Sequence, residues 1–268
     1  MAQTDKAFTG SIPTLYDRYL GPLLFEPYAV DMAERAARLG PKRILEIAAG
    51  TGIVTRALLR KLPTVSIVAT DLNQPMLDHA AARTPAANVT WRQADAQTLP
   101  FETGSFDVVV CQFGVMFFPD KAKAYGEARR VLSPGGHFLF SVWDRIEENP
   151  VADLVSRAAA ALFPHDPPGF LPRTPYGHHD LAVIADALKQ CGFTAIRTEM
   201  VEKRSRAPSA RDPAIGFCQG SPLRMEIEAR DKSRIEEATD AATEAVAARF
   251  GRGPIDSKIR AHVIEATR

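Results

Sequence analysis

The chain has few cysteines, almost no net charge and no long apolar run. Its three cysteines lie far apart and make no metal-ligand spacing, and an odd number suits a reducing compartment. With 33 Lys and Arg against 32 Asp and Glu, the formal net charge of +1 favours neither nucleic acid nor an anionic membrane. The start lacks an apolar signal core, and the most apolar stretch, 106–118, is too short to span a bilayer. We expect a cytoplasmic protein with no metal, no nucleic-acid partner and no membrane span.

A complete dinucleotide-binding fingerprint is also lacking. A β-rich run over 43–48 breaks into a turn with Gly50 and Gly52, and a helical pattern follows directly. The third glycine position of the fingerprint holds Thr55, which is β-branched and larger. The Tyr-x-x-x-Lys pair that is usual in nicotinamide-dependent oxidoreductases is absent as well. The turn therefore favours S-adenosylmethionine over NAD, and an NAD-dependent oxidoreductase remains the weaker alternative.

Acidic residues follow three strand-like runs and fit the same ligand. The methionine carboxylate can sit at the N-terminus of the helix after the turn, and Glu46 with the backbone of Ala48 could receive the ammonium group. Asp71 can accept hydrogen bonds from ribose hydroxyls, and Asp95 can accept one from the amino group of adenine. Either aspartate alone could be a helix cap or a loop acid. The set in this order indicates a nucleoside pocket.

With these motifs the chain resembles a class I S-adenosylmethionine-dependent methyltransferase of the small-molecule type, related to the quinone C-methyltransferases. The matching elements follow in order over about residues 42–143: the turn Glu46-x-Ala-x-Gly-x-Gly52, Asp71, Asp95-Ala96, the run 106–111 and the segment 129–136. Five elements at suitable spacing are a specific signal, whereas the glycine turn alone is a weak one. On this basis we predict a cofactor site made of Glu46, Ala48, Gly50, Thr51, Gly52, Asp71, Leu72, Met76, Asp95, Ala96, Gln97, Cys111, Gln112 and Phe113.

Short β-branched runs that alternate with amphipathic helices predict an α/β fold with a doubly wound, mostly parallel sheet. Strands are expected at 43–48, 65–70, 89–93, 106–112, 136–142, 193–202 and 259–265. The helices are expected near 12–20, 27–39, 53–62, 75–83, 121–132, 150–163 and 179–190, with a largely helical insert over 212–250. The resemblance implies a Rossmann-like, seven-stranded sheet with helices on both faces and an antiparallel last strand.

The 268 residues are expected to form a single domain with inserts. Its parts are a helical lid (1–40), the cofactor-binding core (41–143), lid inserts (144–178 and 203–255), and the C-terminal strands and helix of the sheet (179–202 and 256–268). Loops at the carboxyl edge of such a sheet carry specificity, so the inserts are expected to cover the acceptor.

The loop after the fourth strand lacks the Asn/Asp-Pro-Pro-aromatic motif of enzymes that methylate amino groups of nucleic acids, which argues against a DNA base. We predict transfer to O, N or C of a small, apolar or aromatic acceptor by in-line displacement. The expected acceptor contacts are aromatic: Tyr16, Tyr19, Phe117, Trp143, Phe163, Tyr176 and Phe217. Ordinary core packing is the alternative for these side chains.

No motif for a catalytic residue is expected, because the protein mainly places the reactants and excludes water. His165 and His178 are weak candidates for a general base, since a loop histidine is more often simply solvated. The fold motif reports binding and not turnover, so a non-catalytic protein that binds S-adenosylmethionine is a further alternative.

Overall fold

The computed structural model describes residues 10–268, which contain a seven-stranded sheet. Its strands are β1 (Arg43–Ile47), β2 (Ser66–Asp71), β3 (Val89–Gln93), β4 (Phe106–Gln112), β5 (Leu132–Trp143), β6 (Thr194–Ala207) and β7 (Ile255–Thr267). Their order in the sheet is β3-β2-β1-β4-β5-β7-β6. The main helices are α1 (Ile12–Leu15), α2 (Glu26–Arg38), α3 (Ile53–Lys61), α4 (Gln74–Arg83), α5 (Lys121–Val131), α6 (Pro150–Ala161), α7 (Phe170–Arg173), α8 (Leu181–Gln190), α9 (Arg211–Gln219), α10 (Leu223–Asp231) and α11 (Ile235–Phe250).

The first five strands are parallel and form the middle of the sheet. In register, Ile44 of β1 pairs with Ile67 of β2 on one side and with Val108 of β4 on the other. Strand β2 also pairs in parallel with β3, and β4 with β5. The central strands β1 and β4 are mostly apolar and buried because helices cover both faces of such a sheet, and Ile44 is 0% exposed. The predicted doubly wound, mostly parallel sheet is confirmed.

Strand β7 runs antiparallel to β5. The backbone N–H of Arg268 donates to the carbonyl of Gly136 at 2.9 Å, and that of Asp144 donates to the carbonyl of Arg260 at 3.1 Å. As the residue numbers rise along β5, from 136 to 144, those of the paired residues fall along β7, from 268 to 260. The two strands are therefore antiparallel. The antiparallel last strand that the resemblance implies is therefore present.

Contacts divide the chain into two compact units. The sheet unit comprises Tyr28–Val142, His179–Val201 and Ala261–Arg268. The helical unit comprises the described residues up to Pro27, with Trp143–His178 and Glu202–Arg260. Within the helical unit, α11 packs against α6 and α9. Most of α2 belongs to the sheet unit. That the helical unit acts as a lid stays a prediction.

The N-terminal helix continues without a break into α2, because the segment Tyr16–Phe25 between α1 and α2 is a π-helix. The expected separation into helices near 12–20 and 27–39 was therefore wrong. In an α-helix Pro22 would lack a hydrogen bond and would clash with a carbonyl of the preceding turn. The wider turns of a π-helix, closed by i→i+5 bonds, accommodate the ring. The N–H of Glu26 accordingly donates to the carbonyl of Gly21.

The loops that follow β1 and β4 pack against each other through the glycine at position 114. A Cβ added to Gly114 would lie 2.6 Å from the Cβ of Ala48 and 2.7 Å from the Sγ of Cys111. Both distances are below the closest approach of such atoms, and the Cβ of Ala48 is fixed by the backbone, so no side-chain rotation relieves that overlap. Only glycine allows the two loops to approach this closely.

We expect Gly114→Ala to lower the free energy of unfolding by about 1–3 kcal/mol, the cost of overpacking a filled site. Gly126→Ala in α5 is the matched control, because a Cβ there meets nothing within 4 Å. Because this substitution replaces a glycine within a helix, it should leave the free energy of unfolding unchanged or raise it by up to about 1 kcal/mol. Denaturant unfolding of both variants measures the difference. Equal effects of the two substitutions would contradict the close packing of the loops.

Candidate functional site

Two non-glycine residues with left-handed backbone mark the ends of β1 and β4. Ala48 has a φ of 55° and Phe113 has a φ of 53°. Such a conformation costs about 1–2 kcal/mol for a residue with a Cβ, and strain of this kind clusters at functional sites. Strands β1 and β4 are neighbours at the point where the strand order reverses, and open α/β sheets bind ligands in the crevice at that point. The candidate site lies here, in the sheet unit.

The glycine turn after β1 leads directly into α3. Gly52 precedes the helix with a φ of 77°, and a Cβ there would lie 2.9 Å from Cη2 of Trp91 and 3.1 Å from the Cβ of Ala80. The turn is therefore packed under β3 and α4. Backbone N–H groups in the first turn of α3 have no partner within the helix, so they favour an anion.

Asp71 ties the end of β2 to this turn. Its side chain is 7% exposed. Oδ2 accepts a hydrogen bond from the backbone N–H of Gly50 at 2.9 Å, and Oδ1 accepts one from that of Asn73 at 2.8 Å. Burial raises the pKa of the Asp71 carboxyl, and these hydrogen bonds act in the opposite direction. The carboxylate thus fixes the turn in addition to any contact with a ligand.

Glu46 is buried deeper, with 2% of its surface exposed. The hydroxyl of Thr55 donates to its Oε2 at 2.5 Å. The pKa of Glu46 is raised to about 8. Burial is the largest cause and the Asp71 carboxylate acts in the same direction, while the Thr55 hydrogen bond and the Arg56 guanidinium act in the opposite direction. The sequence pattern indicated the acid at position 46 but not its partner. In the sequence, Thr55 was noted only because it replaces the third glycine of the dinucleotide fingerprint. In the structure, it donates the hydrogen bond to Glu46.

The ends of β2 and β3 present polar and apolar groups side by side in the sequence order that the pattern predicted. Leu72 directly after β2 is 43% exposed, and its carbonyl accepts a hydrogen bond from the side chain of Gln93 at 2.9 Å. Asp95 is exposed, and its Oδ1 accepts a hydrogen bond from the backbone N–H of Gln97 at 2.8 Å. Ala96 between them is buried. An exposed leucine next to a buried acid is an unusual surface and suits a flat apolar ring.

Strand β4 ends at the third part of the site. Cys111 is fully buried, and burial raises the pKa of its thiol, so the side chain stays neutral. The half-buried Gln112 follows. The ring of Phe113 meets that of Tyr28 edge-on, with centroids 5.2 Å apart, and its backbone N–H donates to the carbonyl of Ser141 at 3.1 Å. Tyr28 was not among the predicted residues, although the amphipathic pattern of α2 places it on the buried face.

In the helical unit, four aromatic rings form a connected series that we call the aromatic cluster: Tyr16, Phe25, Trp143 and Tyr176. Tyr16 and Phe25 stack with centroids 4.8 Å apart, and Phe25 lies 6.2 Å from Trp143, which lies 5.8 Å from Tyr176. Nine residues of α-helix make two and a half turns and would place Tyr16 and Phe25 on opposite faces. The π-helix brings both rings to one face. Sequence analysis found three of the four rings and missed Phe25.

The other predicted acceptor residues have different surroundings. The guanidinium of Arg18 lies over the ring of Tyr19 at 5.1 Å, and that of Arg234 lies over Phe163 at 5.0 Å. Phe217 is buried in α9. Phe117 is half-buried and lies in the sheet unit. Of the two candidate bases, His165 is exposed and His178 is half-buried.

Two further observations concern residues 10–268 as a whole. Within this range, no group of three or more His, Cys, Asp or Glu side chains is placed to hold a metal ion. No helix described by the structure has the length and apolar character needed to cross a membrane.

The buried Glu46 predicts a pH dependence of stability. Its pKa is about 8 in the folded chain against an ordinary value of 4.5, so the folded state binds more protons between these pH values. The free energy of unfolding should therefore fall as the pH rises through this window, by up to about 1.4 kcal/mol per pH unit. Glu46→Gln keeps an acceptor for Thr55 but carries no charge. We expect its stability relative to the unchanged protein to increase from pH 5 to pH 8 and then to level off.

Chemical unfolding at several pH values measures this difference. Glu34→Gln on the exposed face of α2 is the control, and it should show no such trend. A difference between Glu46→Gln and the unchanged protein that does not vary with pH would contradict the buried, proton-binding state of Glu46.

Comparisons with known proteins agree with this geometry. Residues 45–140 match the methyltransferase domain family. The chain is 42% identical over 113 residues to the demethylmenaquinone methyltransferase of Thermus thermophilus, which covers 41% of this chain and 50% of that protein. It is 37% identical over 140 residues to the ubiquinone/menaquinone biosynthesis C-methyltransferase of Stutzerimonas stutzeri, which covers 50% and 52%. The chain thus spans about half the length of the curated relatives it matches.

A solved structure extends the likeness of the fold to the whole chain. The phosphoethanolamine N-methyltransferase 2 of Haemonchus contortus, in complex with S-adenosyl-L-methionine, superposes with a TM-score of 0.61 at 17% identity, covering 100% of this chain and 60% of that one. At this identity the likeness concerns the fold alone. In its sheet order and in the matched segment 45–140, the chain is similar to the class I S-adenosylmethionine-dependent methyltransferases related to the quinone C-methyltransferases.

Proposed function

We propose that this protein transfers a methyl group from S-adenosylmethionine to O, N or C of a small, apolar or aromatic acceptor by in-line displacement. One observation carries the proposal: the glycine turn, the two buried acids and the strained end of β4 meet at the switch point of the sheet, inside the segment that matches the methyltransferase domain. S-adenosylmethionine is the cofactor of this family, so the proposal concerns the activity and acceptor of the whole chain.

The residues at the switch point suit this cofactor. The N-terminus of α3 would receive the methionine carboxylate at Thr51 and Gly52, and Asp71 would accept hydrogen bonds from ribose hydroxyls. Leu72 and Met76 would contact the two faces of adenine, with Asp95, Ala96 and Gln97 at its edge. The remaining proposed contacts are Glu46, Ala48, Gly50, Cys111, Gln112 and Phe113.

The cofactor supplies an activated methyl group on a cationic sulfur. The chain's part is to align the acceptor atom, hold it within about 3–3.5 Å and exclude water. A general base is needed only for an acceptor that stays protonated. Burial raises the pKa of both Cys111 and Tyr176, so neither is proposed for that role. His165 and His178 remain the candidates.

The acceptor is argued from the aromatic cluster, because the relatives share mainly the cofactor-binding segment with this chain. Phe25, Trp143 and Tyr176 are buried, so an acceptor that reaches them would be enclosed by aromatic faces and edges, which pack best against planar rings. The names of two relatives given above refer to demethylmenaquinone and to ubiquinone and menaquinone biosynthesis. Quinones and related phenols are therefore the first acceptors to test.

Calorimetry should detect binding of S-adenosylmethionine and S-adenosylhomocysteine and no binding of NAD. Asp71→Ala should weaken the affinity by about 1.5–3 kcal/mol, the cost of losing hydrogen bonds to a charged group. Asp78→Ala on the exposed side of α4 is the control and should leave affinity unchanged. Tighter binding of NAD than of S-adenosylhomocysteine would overturn the cofactor assignment.

Turnover separates a catalyst from a protein that only binds the cofactor. A panel of quinones, phenols and amines, with release of S-adenosylhomocysteine as the readout, should include at least one substrate. Binding of the cofactor without turnover of any panel member would favour the non-catalytic alternative.

For the substrate found, Trp143→Ala should raise the KM by about fivefold, since an aromatic contact contributes on the order of 1 kcal/mol beyond its buried area. Trp143→Phe keeps a ring at this position and should retain most of the affinity for the acceptor. Both variants should bind S-adenosylhomocysteine as before, and thermal unfolding checks that they are folded. An unchanged KM in Trp143→Ala would remove the aromatic cluster from the acceptor site.

A further inference from the structure

The candidate cofactor site contains two buried carboxyl groups on neighbouring strands. Glu46 on β1 is 2% exposed and Asp71 at the end of β2 is 7% exposed. The pKa of each is affected by burial, and the charge on Asp71 acts directly on Glu46. Buried acids are usually paired with a cation, because removal from water disfavours the charged form. This pair is held mainly by neutral donors, Thr55 for Glu46 and backbone N–H groups for Asp71.

Charged and titratable groups face Glu46 from each element packed against it. Helix α3 contributes the guanidinium of Arg56, whose Nη1 donates to the carbonyl of Thr51 at 2.7 Å. Strand β2 contributes Asp71, and β4 contributes the neutral thiol of Cys111, on which Glu46 also acts. One cation therefore faces two carboxyl groups. With a pKa of about 8, Glu46 is mostly protonated at neutral pH.

The two ligands of a methyltransferase differ in charge at one atom. The methyl donor has a cationic sulfonium, and the demethylated product has a neutral thioether, while their adenosine and amino-acid parts are identical. In a buried site charges interact more strongly than in water. A carboxylate on Glu46 attracts the ammonium group of both ligands equally, and the sulfonium adds a further attraction for the donor alone.

We propose that Glu46 and Asp71 form a charge-selective pair that distinguishes the methyl donor from the demethylated product, and that donor binding displaces a proton from Glu46. The inference rests on the proposed function and deepens it. The O–H bond of the Glu46 carboxyl breaks as the donor binds, and the proton passes to solvent. When the sulfonium has become a thioether, the carboxylate takes a proton back from solvent. Glu46 is one of the proposed contacts of the ligand, and its charge acts on the sulfonium in addition to that contact.

Calorimetry of both ligands between pH 6 and pH 8.5 tests the proposal. In the unchanged protein the ratio of the Kd of S-adenosylhomocysteine to the Kd of S-adenosylmethionine should rise by about fivefold or more, the usual lower range for coupled sites. Glu46→Gln should reduce this rise, because it carries no titrating charge. Titration of the ligands' own groups cancels in the comparison, since both proteins meet the same ligands.

Two further measurements make the test specific. Near pH 7, in buffers of different ionisation enthalpy, the donor should release more protons than the product from the unchanged protein, which needs no variant. Thr55→Val removes the hydroxyl that stabilises the carboxylate and should move the rise of the ratio to higher pH. Asp95→Asn, at an exposed acid of the same sheet edge, is the control: it should change both affinities by one factor, because the adenosine part is shared.

The same rise in Glu46→Gln as in the unchanged protein, a ratio that does not vary with pH, or equal proton release by the two ligands would overturn the charge-selective pair. In those cases the proposed function would stand, because both ligands bind. Failure of both ligands to bind at any pH would instead overturn the proposed function.

Discussion

The methyl group of Ala48 packs into the space left by the absent side chain of Gly114, and the geometry of the crevice depends on this contact. It fixes the distance between the loops after β1 and β4, the two central strands of the parallel sheet. Both loops turn through left-handed residues, at Ala48 and Phe113, and neither turn gains from this conformation by itself. The packing of one against the other compensates for the strain. A crevice of fixed width at the switch point is the result.

Electrostatics at this crevice follow from the same burial. Glu46 is buried at the end of β1, beneath the glycine turn. The backbone N–H of Gly50 in that turn donates a hydrogen bond to Asp71, the second buried acid. Glu46 is mostly protonated at neutral pH and faces one guanidinium, that of Arg56. A cationic ligand favours the ionised form of Glu46, so the proposed selectivity for charge follows from the burial of this acid.

Sequence analysis predicted the sheet unit closely because its signals are local. Apolar runs, glycine turns and acids after strands each follow from the hydrogen-bonding and packing needs of nearby residues. The strand bounds agree within a few residues for β1 to β4, and the order of the elements is as expected. The resemblance added what local signals do not contain, the antiparallel direction of β7.

Side-chain pairings were harder to predict, because they depend on contacts between residues distant in sequence. Tyr28 against Phe113, and Phe25 against Trp143, are of this kind. Thr55 is nine residues from Glu46, yet its role as a donor follows only from the return of α3 over β1. The break expected before α2 failed for a different reason: a π-helix is too rare for a pattern of residues to favour it.

In the π-helical segment Tyr16–Phe25, the number of residues matters more for the position of the two stacked rings than the identity of the residues between them. Loss of a single residue would let the helix return to 3.6 residues per turn and would rotate one ring of the stacked pair away from the other. Conservative replacements of its aliphatic residues would leave the winding intact. Among relatives, insertions and deletions in this segment should therefore accompany changes in the acceptor, whereas the cofactor-binding strands can diverge in sequence at constant length.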